Sequence, residues 1–264
     1  MSLPESLLAA AGLVGLVMFC VWVVALRIRN AGIVDIAWSF NFAPLAWLYA
    51  AVGPGYGPRR LLVAVMVTFW SFRLGGYLYR RVMGHHPIED GRYQQLRKDW
   101  APHADRAFFW FFQVQALLNL ILSVPFLLAA RNPEPALSGL EWTAAGLFAV
   151  ALLGEAFADR QLDRFRKDPA HRGKTCRVGL WRYSRHPNYF FEWLVWVAYF
   201  LLALGAPWGF VTIYCPLLML YFLFRVTGIP MTEAQALKSR GDDYRDYQRT
   251  TSVFIPWWPR VSAT

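Results

Sequence analysis

The residues whose types and spacing suit chemistry gather in the second half of the chain. Glu155, Asp159 and Asp163 recur at every fourth position, so one helix face carries three carboxylates, with Arg166 beside them one turn further on. Acids in such a row accept hydrogen bonds from ribose or amide groups, while neighbouring arginines take phosphate. Asp163 and Lys167 read equally well as an exposed ion pair, but Glu155 stands inside an apolar run. The densest segment is Arg177-Val-Gly-Leu-Trp-Arg-Tyr183-Ser-Arg185-His186-Pro-Asn188-Tyr-Phe-Phe-Glu192-Trp193. Gly179 permits a tight turn and Pro187 suits the first turn of a helix, so Asn188 and Glu192 fall one turn apart on one face. A basic juxtamembrane stop with an aromatic belt accounts for the tyrosines and tryptophans. It does not account for Asn188 and Glu192 at the head of an apolar helix.

Three further places attract the same question. Trp70, Arg73 and Tyr77 share a helix face, where the arginine either snorkels to the membrane surface or meets a phosphate or planar ring. Asp35 reads as a proton donor or as an acid favoured by the dipole at a helix start. In the tail, Thr232 caps an amphipathic helix that carries Tyr244 and Tyr247, residue types that serve as packing more often than as ligands. An aromatic-proline strap through Phe254 and Pro256 then returns to the membrane.

The elements that position these residues are membrane helices. The chain has 264 residues, 56% hydrophobic and 17% charged, with a formal net charge of +10. Disorder is excluded, because so apolar a chain buries more surface than ordering costs. A disulfide scaffold is excluded by three scattered cysteines, Cys20, Cys176 and Cys215. Several uncharged runs reach the ~20 residues that cross a bilayer. The pattern predicts seven transmembrane helices, at 7–26, 36–52, 61–79, 107–130, 142–158, 189–206 and 208–224. The first is an uncleaved helix, because no basic segment precedes it. Of the 27 Lys and Arg residues, 23 fall in alternate connections and the tail, against Arg59, Arg60 and Arg131 on the other side. That split predicts an outside N-terminus and an inside C-terminus. The expectation is an all-α polytopic fold in one membrane domain, residues 1–264. Helices 1–4 (1–130) form a lipid-substrate side and 139–264 a core with cytoplasmic capping loops.

Other chemistries fit badly. Membrane di-iron sites need many more histidines than the five present, and no CxxC or serine-nucleophile motif occurs, so no metal is expected. No soluble domain is available to bind nucleic acid.

The segment from Gly179 to Trp193, followed by two more spans and a Tyr247…Ile255-Pro256 ending, resembles the steroid 5α-reductase C-terminal superfamily, and most closely its bacterial DUF1295 branch. The resemblance implies a seven-helix fold that binds NADPH from the cytoplasmic side, in a bacterial inner membrane. It also implies reduction of a carbon–carbon double bond conjugated to a carbonyl in a lipid or steroid-like substrate. Asp159, Arg166, Tyr183, Asn188, Glu192 and Tyr247 match cofactor-pocket positions, and Arg73 matches an arginine near the nicotinamide. Glu155, Arg177, Arg185, His186 and Tyr244 complete the expected cofactor set. Two departures stand out: Phe42 occupies the place of the acid that binds the steroid carbonyl, and Trp70 that of a tyrosine. The expected proton donors or polarising groups are therefore Tyr77, Asn41 and Asp35. The Arg185–Tyr189 and Tyr244–Pro256 stretches are also similar to isoprenylcysteine methyltransferases, which implies S-adenosylmethionine as the alternative cofactor. A lipid-binding protein that keeps a cofactor pocket as scaffold is a third reading.

Overall fold

The structure is a computed structural model that describes residues 1–226 and 228–260. Among those residues there are helices and turns but no strand. Six helical stretches are long and apolar enough to cross a membrane: Leu3–Ile28, Gly57–Met83, Ala104–Ala130, Gly139–Lys167, Pro187–Leu204 and Gly209–Arg240. The chain is accordingly an integral membrane protein. It divides into two compact units, one of Met1–Ser138 with Ala203–Gly209, the other of Gly139–Leu202 with the residues from Phe210 onward.

The first unit opens with α1 (Leu3–Ile28), started by a capping box in which the Ser2 amide donates to Glu5 at 2.8 Å and the Glu5 amide to Ser2 Oγ at 3.3 Å. The helix buries Ala10, Val14, Met18 and Ala25 along one face. Against it lies α6 (Ala104–Leu122), where the Trp22 indole donates to the Asp105 carbonyl at 3.0 Å. The span expected at 36–52 is built as two helices, α2 (Ile33–Phe40) and α3 (Phe42–Val52). Asn41 between them keeps helical dihedrals, but Pro44 has no N–H to offer the Phe40 carbonyl, so the ladder is interrupted without the chain turning away. α4 (Gly57–Met83) packs closely on α2: a Cβ at Gly75 would come within 2.8 Å of the Phe40 ring. α6 breaks at Ser123, ahead of Pro125, and continues as α7 (Val124–Ala130). A short helix, α5 (Gly91–Asp99), lies in the connection between α4 and α6.

The second unit is carried by α8 (Gly139–Lys167) and α9 (Pro187–Leu204). α8 buries Glu141, Ala144, Phe148, Ala151, Glu155 and Ala158, a stripe spaced by three and four in which every second residue is alanine, as suits helices that approach closely within a bilayer. At Gly154 an added Cβ would lie 2.4 Å from the Phe191 ring of α9, so only glycine permits this approach. The stretch expected as a span at 208–224 is irregular: a 3-10 turn at Gly209–Ile213, α10 (Tyr214–Tyr221), then a π-turn at Phe222–Val226. Two helices close the unit, α11 (Ile229–Arg240) and α12 (Asp242–Thr250).

Candidate functional site

The buried stripe of α8 brings Glu155 to the seam with α9, and Asp159 follows one turn later. Pro187 begins α9, so Asn188 sits in its first turn and Glu192 one turn on. The Asn188 Nδ2 donates to Asp159 Oδ1 at 3.2 Å, joining the two helices through a pair 29 residues apart. The other side of that amide, Asn188 Oδ1, is buried with no hydrogen-bond partner. Glu192 is 8% exposed and accepts from the Trp196 indole at 3.0 Å. Glu155 is also buried, and both glutamates lie close enough to Tyr199 to act on it electrostatically. Four of the expected cofactor residues therefore meet along one seam. Arg166, on the last turn of α8, is exposed together with Arg160 and Arg164.

The arginines and tyrosines of the same motif have a different setting. Arg177 pairs with Asp243 at 2.9 Å and Asp246 at 2.8 Å, both on α12, and its guanidinium lies over the Tyr247 ring. Burial alone would raise the Asp243 carboxyl, but the Thr175 amide and Arg177 outweigh it and hold the group below the usual carboxylate range. Arg185 donates to Glu233 at 2.7 Å and to the carbonyls of Gln248 and Thr251. His186 Nε2 lies 3.1 Å from the same Glu233 oxygen, and its ring stacks on Tyr189. The Tyr247 hydroxyl is aimed at the carbonyls of Trp181 and Ser184. Burial pushes that phenol far above its ordinary value, as it does Tyr244, so Tyr247 remains a donor throughout the physiological range. The Tyr183 carbonyl accepts from the Trp257 amide at 2.9 Å, and its ring meets Trp258 edge to face. These contacts clamp the 175–186 loop to the tail. The Trp181 indole and the Leu180 amide tie it in turn to α8, at the Ala158 carbonyl and the Gln161 side chain. Gly179 makes that turn possible with φ +57°, and a Cβ there would strike Gln161.

The expected catalytic residues and Arg73 all belong to the first unit. Arg73 and Tyr77 are half-buried, one turn apart on α4. Asn41 donates to Asn119 at 3.1 Å, and Asn119 donates to the Trp38 carbonyl, so an amide pair ties the α2–α3 junction to α6. Asp35 accepts from Arg92 at 2.9 Å and from the Tyr93 hydroxyl at 2.7 Å. Phe42 and Trp70 are fully buried and pack on each other with ring centroids 5.1 Å apart.

The α5 region holds polar residues that spacing alone did not single out. Glu89 accepts from the Ala31 amide at 2.7 Å and from Arg97 at 3.0 Å, and Arg92 and Tyr93 hold Asp35. Apart from the local Glu89–Arg97 pair, these partners lie 57 or 58 residues away along the chain, beyond the reach of helical periodicity. Among the described residues no group of three His, Cys, Asp or Glu side chains is placed to hold a metal ion.

An uncharacterized protein of Schizosaccharomyces pombe, C594.04c, is 28% identical over 205 residues, which cover 68% of this chain and 59% of the relative. The chain thus spans about three fifths of that relative's length. No solved structure matches. Residues 21–251 match the family described as "Protein of unknown function (DUF1295)", and the chain belongs to that family.

Proposed function

We propose that the chain is an NADPH-dependent membrane reductase of a carbon–carbon double bond conjugated to a carbonyl, acting on a lipid or steroid-like substrate. The observation that carries the reading is the α8–α9 seam, above all the buried acceptor Asn188 Oδ1. A buried carbonyl left without a donor costs roughly 1–3 kcal/mol, a cost removed by a ligand amide or hydroxyl. The residues present fit a dinucleotide: acids and an amide for ribose or carboxamide groups, exposed Arg160, Arg164 and Arg166 for phosphates. Family membership supports the same reading, through the superfamily resemblance of the 179–193 motif.

When bound, NADPH supplies a hydride to the electron-poor carbon. In this reading Asp159 fixes the Asn188 amide so that its oxygen faces the ligand. Glu192, oriented by Trp196, and Glu155 accept from ligand hydroxyls. Arg177, Arg185, His186, Tyr183, Tyr244 and Tyr247 contribute by holding the loop and tail in place as the cofactor's cover. In the first unit Arg73 takes negative charge, and Tyr77, on the same helix face, is assigned as proton donor. Asn41 and Asp35 are the further polarising candidates. The buried Phe42–Trp70 pair offers neither an acid nor a hydroxyl, so a steroid carbonyl is not polarised there as in the steroid enzymes. Topologically, α2 and α3 cross together as a seventh span. The N-terminus then lies outside, and the cofactor side faces the cytoplasm of a bacterial inner membrane.

The test is titration of the detergent-purified chain with NADPH, NADH and S-adenosylmethionine. The expected result is NADPH binding that Asn188→Ala weakens at least tenfold. Binding of S-adenosylmethionine without NADPH would replace the reductase with a methyltransferase.

A further inference from the structure

After α12 the chain forms a strap, 251–260, which lies along the first turns of α9. The Arg185 amide donates to the Ser252 carbonyl at 2.8 Å, and Ser184 Oγ donates to the Phe254 carbonyl at 2.7 Å. Phe254 packs on Phe190 and Trp193 of α9. Because α9 is apolar and long enough to cross a membrane, the strap lies at the level where that helix enters the bilayer. Its backbone is pinned again by the Trp257 amide on Tyr183 and the Arg260 amide on the Thr250 carbonyl at 2.8 Å. Three of its large side chains, by contrast, face outward: Ile255 is 59% exposed, Trp257 68% and Trp258 72%.

Between strap and α12 the surface folds into a cavity of about 410 Å³. Arg249 and Arg260 line it with Trp257, Trp258, Thr250 and Ser252; Arg185 of the clamp also lines it but is paired with Glu233, and no residue of the α8–α9 seam takes part. The Arg249 guanidinium is 76% exposed and reaches Asp246 only at 3.9 Å, so its charge is largely uncompensated. Two arginines and the Ser252 hydroxyl suit a phosphate, Thr250 being engaged with the Asp246 carbonyl, and two exposed indoles beside them suit the glycerol-acyl boundary. Rigid backbone anchoring holds the aromatic pair out without a covering partner among the described residues.

We propose that this cavity binds the headgroup of an anionic phospholipid, with Trp257 and Trp258 inserted at the membrane interface. The experiment is native mass spectrometry of the full-length, detergent-purified chain with added phosphatidylglycerol or phosphatidylcholine. The expected result is a clear preference for phosphatidylglycerol. In Arg249→Gln/Arg260→Gln that preference falls roughly thirty-fold, about fivefold for each arginine near an anionic surface. Lys98→Gln/Arg106→Gln, which removes two exposed cations from the first unit, retains it. Trp257→Ala/Trp258→Ala weakens both lipids alike, which separates the aromatic from the charged contribution. The proposal is overturned if the two double arginine and lysine variants lose the preference equally, or if neither does. It is also overturned if millimolar inorganic phosphate displaces the lipid completely, or if Arg249→Gln/Arg260→Gln loses NADPH and keeps phosphatidylglycerol.

Discussion

Two regions of the second unit grow from one continuous stretch, 175–193, and are put together on different terms. From Thr175 to His186 the strong polar groups are directed at the tail: Arg177 to Asp243 and Asp246, Arg185 and His186 to Glu233. From Asn188 onward they turn to the α8 seam, where Asn188 meets Asp159 and keeps a buried acceptor unmet. The first region is a clamp whose arginine and histidine side chains are met by acids of the tail; the second holds an amide oxygen that no donor meets. Residue type alone does not separate them, since an arginine that suits a phosphate suits an aspartate equally well.

The comparison is sharpened most strongly at Arg185. Its side chain and that of Glu233 are 12% and 13% exposed, so Arg185→Leu leaves a largely buried carboxylate short of its main partner. A loss of about 3–5 kcal/mol is expected, read as a collapse of the melting temperature in detergent. If NADPH affinity fell while melting held, Arg185 would belong with the seam. Tyr247→Phe is next: it strips a buried donor from two carbonyls and is expected to cost about 1–3 kcal/mol of stability. Unchanged melting would break the description of the clamp.

At the seam the expectation reverses. Asn188→Ala should cost about 1.4 kcal/mol or more in NADPH binding, measured by titration, and leave melting nearly unchanged. A protein that unfolds instead would make Asn188 a structural residue. The smallest effect concerns Asp243, whose folded pKa lies below the ordinary value of about 3.9. A depressed carboxylate contributes stability above its unfolded pKa and loses it as pH falls through the folded one. Below about pH 4 the wild type should therefore lose melting temperature more steeply than Asp243→Asn. The difference should stay under about 1 kcal/mol, because the Arg177 and Asp243 side chains are 37% and 42% exposed.

Much of this organisation is written locally. Long uncharged runs declare the membrane helices, and the three-four spacing of α8 places Glu155 on a buried face. Pro187 sets the register that brings Asn188 and Glu192 together. What is not local is not legible. The Arg177–Asp246 pair spans 69 residues and the Asp35–Arg92 pair 57, and no periodicity links them. Asp35 accordingly reads in sequence as a proton donor or a helix-start acid, and the structure adds its arginine and tyrosine partners. The interruption at Asn41 was within reach through Pro44, but an apolar run hides a break that keeps helical dihedrals.

The clamp also sets an order of events during synthesis. The 175–186 loop leaves the ribosome well before the tail that holds it, and contacts so distant in sequence close late. Until residues 243–257 have emerged, Arg177, Arg185 and the carbonyls of Trp181 and Ser184 lack the partners they have in the finished fold. The clamp therefore closes only after α8 and α9 have been made.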